Sequence, residues 1–522
     1  MRRPLHSALE RTCACIFPTN ICRVGIVRIG ACPAPRFPEW PITIRSRARR
    51  DAFYGLRSDF DNVESNVGLA RVEYDIAKNI TFSNQTRVAH LNRDSQFTVP
   101  TGFTAATGVV STQRQFYSRE NMSVTNLSNL TAKFNTGTVE HSLSAGLDLA
   151  HEDSNADRFG TQNTTTNIFN PNPDRAIAGP LNPTERNGIR INSAGAYLFD
   201  TIKFNEQWQV LGGVRVDHYD VDISSKTVAG LPAGGLDGFS KTETTVGGKV
   251  GVIYKPVRNA SLYGSFGVSH LPPGSYLSNP DISRTGDNAF PGFVKGADPT
   301  RFHNYEVGAK IEFNRRLSTT MALFRTEKRN APITGLDVGE TVETLKGYGQ
   351  QIVQGLELGV AGKVTENWSV FGGVLLMDSE RKHSAYLDSV RRRAAPNDYG
   401  AVASTNGDQL AFTPNVSANL WTTYRFAPWG WTVGAGVQYV GSSYLGRPDD
   451  ANRIIPNGNF GKLPAYTVFN LMASYEIMKN VNLRLNVDNV ADNRYAVSSN
   501  WNGSRASVAP SRTYRISTSF HF

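Results

Sequence analysis

Aromatic and basic side chains share three long segments of the sequence, each lying between two strand-like stretches. They are Tyr276, Arg284, Phe290 and Phe293 in segment 271–300, Arg391, Arg392 and Arg393 in segment 381–410, and Tyr444 and Arg447 in segment 444–464. Aromatic planes stack on flat groups, and guanidinium groups bind anions through charge-assisted hydrogen bonds. The combination predicts recognition of a bulky ligand, anionic or neutral, with aromatic faces. The competing interpretation is that they are solvated loop residues or contacts to an anionic lipid.

Catalytic and metal-binding patterns are missing from the sequence. The stretch Gly267–Leu271 lacks the second glycine of a serine nucleophile turn, and neither a phosphate loop nor an HExxH helix is present. The four cysteines are Cys13, Cys15, Cys22 and Cys32. Their spacing fits no zinc pattern. We therefore expect no enzyme activity, no catalytic residues, no bound metal and no cofactor.

The bulk composition narrows the class of protein further. The chain has 522 residues, of which 39% are hydrophobic, and its mean hydropathy is −0.34. It contains no apolar run of the roughly 18 residues that a membrane-spanning helix needs. Residues 1–50 hold ten Arg, two Glu and no Lys, so they account for +8 of the net charge of +10. The remaining chain is nearly neutral, and we expect no nucleic-acid partner.

Residues 1–50 differ in amino-acid composition from the rest of the sequence. They are rich in Arg, Cys and Pro, and Arg11, Arg23 and Arg28 interrupt any apolar core of a secretion signal. We expect this leader to lie outside the fold, and a mis-assigned or frame-shifted start would explain its composition. The folded domain is expected to cover residues 51–522.

From residue 51 the sequence alternates in the manner of β-strands. Between residues 206 and 220, for example, Trp208, Val210 and Val214 share one face while Arg215 and Asp217 share the other. Seventeen such strands are predicted, at 67–76, 80–94, 122–135, 138–153, 190–203, 206–220, 244–255, 258–270, 301–313, 316–329, 350–363, 366–380, 411–425, 430–443, 465–476, 480–491 and 511–522.

The connections between these strands alternate between short and long. Tight turns join the members of each pair, and eight long loops are predicted at 95–121, 154–189, 221–243, 271–300, 330–349, 381–410, 444–464 and 492–510. Short connections on one side and long ones on the other are typical of outer-membrane barrels, with periplasmic turns and extracellular loops. The fold class predicted is thus all-β, a transmembrane antiparallel up-and-down β-barrel. Its strand count is odd, whereas such barrels have an even number, so we expect a further strand hidden in residues 1–66 or a truncated chain.

Several motifs resemble those of TonB-dependent siderophore receptors, over roughly residues 51–522. They are Phe53–Leu56 and Val72–Asp75 early in the barrel, Asn304–Lys310 in the middle, Gln354–Leu358 at the start of a later hairpin, and Asn486–Tyr495 at the penultimate strand. The final strand alternates and ends on an aromatic residue, and it resembles the family's assembly signal through Tyr514, Phe520 and Phe522. Within this family, the sequence pattern most resembles that of the catecholate or hydroxamate receptors.

The resemblance implies the barrel part of an iron-siderophore receptor in the outer membrane of a Gram-negative bacterium. The family has about 22 strands around a globular plug, and the sequence offers about seventeen with no segment that looks like a plug. The expected ligand is an Fe(III)-siderophore, which is cargo and not a cofactor. Expected partners are outer-membrane lipid, lipopolysaccharide and the barrel assembly machinery, with TonB only where a plug and a TonB-contacting box are present.

Three alternatives remain open. A passive outer-membrane channel or adhesin would use the barrel as it stands, and liposome conductance would support the channel. A barrel enzyme would need a Ser/His/Asp set, which the sequence does not supply. A non-functional receptor fragment is the last alternative.

Overall fold

The structure is a computed structural model of the chain. It describes residues 52–104, 106–233, 237–271, 299–330, 350–382, 409–445, 462–500 and 505–520, together with the backbone of Ala14–Ile16, Thr19–Gly25 and Ala31–Pro33. No helix in these ranges is long and apolar enough to cross a membrane.

Strands make up nearly all of the described chain. They are β1 (Ala14–Ile16), β2 (Thr19–Gly25), β3 (Ala31–Pro33), β4 (Phe60–Ala77), β5 (Ile80–Thr104), β6 (Val109–Thr136), β7 (Val139–Phe159), β8 (Gln162–Asn167), β9 (Pro183–Lys203), β10 (Trp208–Thr227), β11 (Phe239–Val257), β12 (Ala260–Leu271), β13 (Thr300–Phe313), β14 (Leu317–Arg329), β15 (Gln350–Lys363), β16 (Trp368–Lys382), β17 (Val416–Phe426), β18 (Trp431–Val440), β19 (Ser443–Tyr444), β20 (Lys462–Leu463), β21 (Tyr466–Met478), β22 (Val481–Asp488), β23 (Ala496–Ser499), β24 (Arg505–Val508) and β25 (Thr513–Phe520). A short 3₁₀ helix, Ala427–Trp429, joins β17 to β18.

The long strands form one antiparallel sheet in which chain neighbours pair with each other. Each of the seventeen strands predicted from the alternation corresponds to a strand of this sheet, which confirms the all-β, up-and-down barrel architecture. Strands that follow each other in the chain are neighbours in the sheet because each short turn brings the chain back beside the strand before it.

The N-terminal edge of the sheet contains backbone from residues 1–50. Strands β1 and β2 both pair antiparallel with β4, with Ala14 opposite Glu73 and Gly25 opposite Asn62. Strand β3 pairs with β24 beyond the main sheet. Taken together, β1 and β2 occupy the position of the eighteenth strand that the odd count required. The predicted division into residues 1–50 and a folded domain of 51–522 stays a prediction.

The predicted loop at 95–121 is wrong. Strand β5 continues to Thr104 and β6 starts at Val109, and the two remain paired from Ile80–Ala132 up to Thr104–Val109. The predicted loops at 154–189 and 221–243 are likewise shortened by extensions of β7, β9, β10 and β11 and by β8. Beyond the membrane a strand no longer needs an apolar face, so polar alternation is easily mistaken for loop composition.

The two faces of the sheet differ as a membrane barrel requires. On β10 the exposed Val214 and Val216 point to one side, and their registered neighbours on β9 and β11 include Leu198 and Val246 on that same side. Arg215 and Asp217 point to the other side and pair with each other. The apolar side is the lipid-facing surface and the polar side is the lumen.

The motif at Asn486–Tyr495 forms a hydrogen-bonded turn at the extracellular end of β22. Asn489 has a positive φ of 53°. Its side-chain amide donates to the carbonyls of Asn493 and Pro510, and its Oδ1 accepts from Asn493 N. Asn is one of the few residues that adopts this backbone conformation at little cost. One side chain thereby ties the exit of β22 to the entry of β25.

Candidate functional site

The segment 52–59 packs against the outward face of the extended β5–β6 hairpin and the loop after β8. We call this unit the extracellular cap. Its core is Tyr54, Val110 and Ile168, all of which are fully buried, and the Tyr54 hydroxyl donates to the carbonyl of Ile168. Burial of these side chains fixes the chain as it enters β4.

Arg175 lies at the centre of the extracellular cap and makes five hydrogen bonds. Nη1 donates to the carbonyls of Gly55 and Asn172, Nη2 donates to the carbonyl of Tyr54 and to Thr112 Oγ1, and Nε donates to Thr164 Oγ1, at 2.8–3.1 Å. Every N–H of the guanidinium is thus used inside the cap. Arg175 is a structural residue of the cap, with no donor left to bind a ligand.

Asp59 is a second residue that holds the cap together through hydrogen bonds. Its carboxylate accepts from Leu56 N at 3.0 Å, Thr98 N at 3.0 Å and Thr98 Oγ1 at 2.9 Å. Burial raises the pKa of Asp59 above its ordinary value, and these hydrogen bonds and the Arg175 charge oppose the rise without cancelling it.

A second group of residues lines the lumen at the extracellular ends of β5, β6 and β7. We call it the upper-lumen cluster; it consists of Phe97, Tyr117, Arg93, Arg119, Arg158 and Arg505. Phe97 stacks on Tyr117 with ring centroids 5.3 Å apart, and the Arg119 guanidinium lies 5.6 Å from the Tyr117 ring centre. Arg93 stands opposite Arg119 in the register, and Tyr117 stands opposite Arg158.

Two carboxylates offset part of the charge of the upper-lumen cluster. Asp61 receives two hydrogen bonds of 2.8 Å from Arg93, and Glu185 accepts from Arg158 at 3.1 Å. Arg93 and Arg119 stand at directly opposite positions, and the Asp61 carboxylate offsets the charge of Arg93 there.

Arg505 reaches the upper-lumen cluster from β24. Burial lowers the pKa of its guanidinium, and the described group that opposes this is Tyr117 and not a carboxylate. A desolvated guanidinium that has no acidic partner among the described residues is stabilised by any anion that can reach it. Together with the stacked rings, Arg505 makes this cluster suited to an anionic aromatic ligand.

Lower in the lumen, the wall of β15–β18 and β21 encloses an open recess of about 600 Å³. Its lining includes Glu357, Phe371, Asn419, Trp421 and Asn470. The Trp421 ring lies directly over Gly436, where any Cβ would meet it at 2.3 Å. The recess therefore combines a carboxylate with two aromatic rings and can receive a cationic side chain.

Most of the residues predicted to bind ligand lie outside the described residues, so their roles stay predictions. These are Tyr276, Arg284, Phe290, Phe293, Arg391, Arg392, Arg393 and Arg447. Tyr444 is described: it lies in β19, and Lys462 Nζ stands 4.6 Å above its ring centre. Of the proposed assembly signal, Tyr514 and Phe520 are exposed on β25, and Phe522 is outside the described residues.

Sequence reasoning missed the upper-lumen cluster because it assigned 95–121 to a loop. The signal was nevertheless present. Gln113, Gln115, Tyr117 and Arg119 repeat at every second position, and within this row Tyr117 Oη donates to Gln115 and Gln115 donates to Gln113. A row of large polar side chains with period two is typical of a strand facing a water-filled lumen.

Comparisons with known proteins agree with this architecture. The family model of the TonB-dependent receptor-like β-barrel matches residues 33–490. The catecholate siderophore receptor Fiu of Escherichia coli O6:H1 is 29% identical over 506 residues, covering 90% of this chain and 61% of that protein. The probable TonB-dependent siderophore receptor PiuA of Acinetobacter baumannii is 27% identical, covering 86% of this chain and 60% of that protein.

Solved structures give the same fold. The closed form of Fiu from E. coli K12 superposes with a TM-score of 0.78 at 24% identity, covering 98% of this chain and 72% of that one. The crystal structure of PiuA from A. baumannii also gives 0.78, at 22% identity and the same coverage.

The fold and the two-faced sheet define an outer-membrane β-barrel. The chain belongs to the TonB-dependent receptor-like β-barrel family. This is a family of receptors and transporters. The chain spans about three fifths of the length of the curated relatives it matches.

Proposed function

We propose that this chain is the barrel of a receptor that takes up Fe(III)-siderophore complexes of the catecholate class across the outer membrane. The observation that carries the proposal is the upper-lumen cluster. It places four guanidinium groups and two stacked rings where a ligand entering from outside first meets the lumen. The names of the relatives, catecholate and siderophore receptors, agree with this ligand class.

The chemistry of the ligand matches the cluster. An Fe(III)-catecholate complex is anionic and presents flat aromatic rings, so it needs cations and aromatic planes at once. Guanidinium groups supply charge-assisted hydrogen bonds to the catecholate oxygens, and Phe97 and Tyr117 supply stacking surfaces. Uptake requires no covalent step. In the complete receptor, energy would come through TonB, provided that a TonB-contacting segment is present.

Binding by the purified, folded chain tests this function. A soluble Fe(III) tris-catecholate complex quenches intrinsic Trp fluorescence when it binds, and a neutral Fe(III) tris-hydroxamate complex serves as the comparison ligand. We expect Arg505→Gln to weaken catecholate binding about tenfold or more, since one hydrogen bond to a charged group contributes about 1.5–3 kcal/mol.

The matched control is Arg190→Gln. Arg190 lies on the outward face of β9, where it pairs with Asp153 at 3.2 Å, so its removal should leave ligand affinity unchanged. Equal binding of the catecholate complex by the Arg505→Gln variant would contradict the proposed site. Equal affinity for the hydroxamate complex would contradict the ligand class.

The basic loop patch Arg391–Arg393 is proposed as an outer contact for the same ligand. Changing all three residues to Ala in a complete receptor should weaken binding, because three consecutive cations attract an anion. Unchanged affinity would remove this patch from the site.

A further inference from the structure

A group of polar side chains interrupts the apolar, lipid-facing surface of β5 and β6. We call it the polar strip; it consists of Asn84, Thr86, Asn126 and Ser128. In the register of the two strands, Asn84 stands opposite Ser128, and Thr86 stands opposite Asn126. All four side chains are partly exposed. The strip is thus one connected surface that spans two neighbouring strands.

The polar strip lies within the apolar band and not at its edge. Ser128 is registered with Leu147 of β7, and the same row continues through β9 to Val216 of β10, which belongs to the lipid-facing surface. Along β6, the exposed Phe134 lies below the strip and the exposed Met122 lies above it. Lipid chains offer no hydrogen-bond partner, so polar groups at this depth must find their partners in protein.

The two amides of the strip bond to each other, and two groups beside them stay unused. Asn84 Nδ2 donates to Asn126 Oδ1 at 3.0 Å and to Ser128 Oγ at 2.8 Å. Asn126 Nδ2 donates to Asn84 Oδ1 at 3.2 Å and to Thr86 Oγ1 at 2.7 Å. Within the described chain, the Thr86 hydroxyl proton has no acceptor, and Asn84 Oδ1 uses one of its two lone pairs. The strip therefore keeps one donor and one acceptor side by side.

Small residues next to the strip leave room for a neighbouring chain. Thr86 is registered opposite Ala70 of β4, and the next outward residue of β4 is Gly68. A Cβ at Gly68 would meet no atom within 4 Å, so the surface is open there. On the other side of the strip, Leu147 and Leu149 of β7 are 58% and 53% exposed. Small residues that permit close approach, combined with polar side chains, favour association of proteins within a membrane.

Charged, imidazole and amide side chains that face the apolar band are confined to β5–β9 in the described part of the chain. On β7 and β9, His141 and Asp200 form a further outward pair, with Nδ1 2.6 Å from Oδ2. Elsewhere such side chains are missing from the lipid-facing positions, which are every second residue from the first of each of the segments 68–76, 208–216, 246–254, 262–268, 307–313, 319–323, 356–360, 368–376, 418–426, 431–439, 469–477, 483–487 and 514–520. A hydrogen-bonded contact within the membrane can therefore form on one side of the barrel only.

From this geometry we infer that two copies of the chain associate within the membrane through the polar strip. In a two-fold pair both copies present the same surface to each other. The unused hydroxyl proton of Thr86 is then accepted by an oxygen of the strip in the other copy, and the reverse contact forms at the same time. A second copy fits this surface because the strip contains both the donor and the acceptor that it lacks. The inference does not depend on which ligand the lumen binds.

Dilution of the folded full chain in phospholipid vesicles tests the inference. Each copy carries one dye at its amino terminus, and single-molecule photobleaching counts the dyes in each particle as the ratio of lipid to protein is raised. We expect particles with two dyes to persist beyond the level of chance encounter and to separate into single copies only at high dilution. Single copies at every dilution would overturn the inference, and so would clusters of no defined size.

The variant Asn84→Leu/Asn126→Leu removes both amides together, so neither is left without its partner. It should weaken pairing about tenfold or more, the effect expected when a few hydrogen bonds are lost within a membrane. The matched control is Arg190→Gln/Asp153→Asn, which removes a polar pair from the outward face of β7 and β9 above the apolar band. The control should pair like the parent protein.

A second variant keeps the test decisive if the first fails to fold. Leu147→Trp enlarges a side chain that faces lipid beside the strip, so the barrel should fold while the larger ring prevents close approach. Its control is Leu323→Trp on β14, where Leu323 is 56% exposed outside the strip. We expect weaker pairing for Leu147→Trp alone. Equal pairing of the parent protein and the variants in the strip would overturn the inference, because the contact would then lie elsewhere.

Discussion

The side chain of Arg175 joins several segments of the extracellular cap through hydrogen bonds. The variant Arg175→Met tests whether these bonds hold the cap closed. The variant keeps the apolar stem but removes all five hydrogen bonds. We expect local opening of segment 52–59 to become easier by about 1–3 kcal/mol, the range for lost internal hydrogen bonds. Hydrogen exchange of the Leu56 and Thr98 amides measures this opening.

The control for Arg175 is Arg57→Met in the same cap. Arg57 pairs with Asp174, with both side chains more than half exposed, and exposed pairs contribute little. Exchange rates in this variant should match those of the parent protein. If Arg175→Met also leaves the rates unchanged, then apolar packing of Tyr54, Val110 and Ile168 alone holds the cap.

Asp59 gives the extracellular cap a pH dependence. The pKa of Asp59 is raised in the folded state, so the folded cap binds a proton more tightly than the open segment does. The resulting stabilisation is present below the ordinary pKa of Asp and is lost as pH rises through the raised value. After correction for intrinsic exchange, opening should therefore increase over this window. Asp59→Asn should abolish the slope, and a slope that persists would assign it to another group.

At the scale of a strand, we expect opposite effects on stability when a side chain is added at two adjacent glycines of β10. A Cβ at Gly213 would lie 2.4 Å from the carbonyl oxygen of Leu198 and 2.2 Å from the Phe199 ring. At Gly212 the nearest atom is 3.9 Å away. Gly213→Ala should thus destabilise the barrel by roughly 1–3 kcal/mol, the range for overpacking, and Gly212→Ala should not.

Heat-dependent gel mobility of the folded barrel compares these two variants directly. Both substitutions change strand propensity equally, so any difference between them reports steric contact across the β9–β10 pair. Equal stability of the two variants would mean that β9 and β10 move apart to accommodate the added methyl group without loss of stability.

The sequence predicted where strands exist better than where they end. The alternation of side chains located all seventeen predicted strands, because lipid-facing residues are apolar and the lumen-facing residues between them are polar. It failed at 95–121, because above the membrane both faces of β5 and β6 mix polar with apolar residues, such as Phe97 on one face and Val110 on the other. The same failure hid Tyr117 and Arg119, whose proposed role in ligand binding depends on facing the lumen. Arg505 could not have been joined to them, since only the fold brings β24 beside β6.

At the scale of the whole molecule, the two-faced sheet predicts how its tryptophans meet lipid and water. Trp431 lies on the lipid-facing row of β18, and Trp421 lines the lumenal recess. In variants that keep a single Trp, brominated acyl chains should quench Trp431, and aqueous acrylamide should quench Trp421. Quenching of Trp421 by brominated lipid would reverse the assignment of the two faces.

The length of the β5–β6 hairpin has a consequence for what the cell shows to its surroundings. Strands of 25 and 28 residues extend roughly 80–90 Å at about 3.3 Å per residue, while the apolar band of such a barrel is only about 25 Å tall. Even with the usual tilt, a large part of the hairpin stands clear of the membrane. An antibody against its tip should label intact cells, which makes the end of this hairpin an accessible epitope.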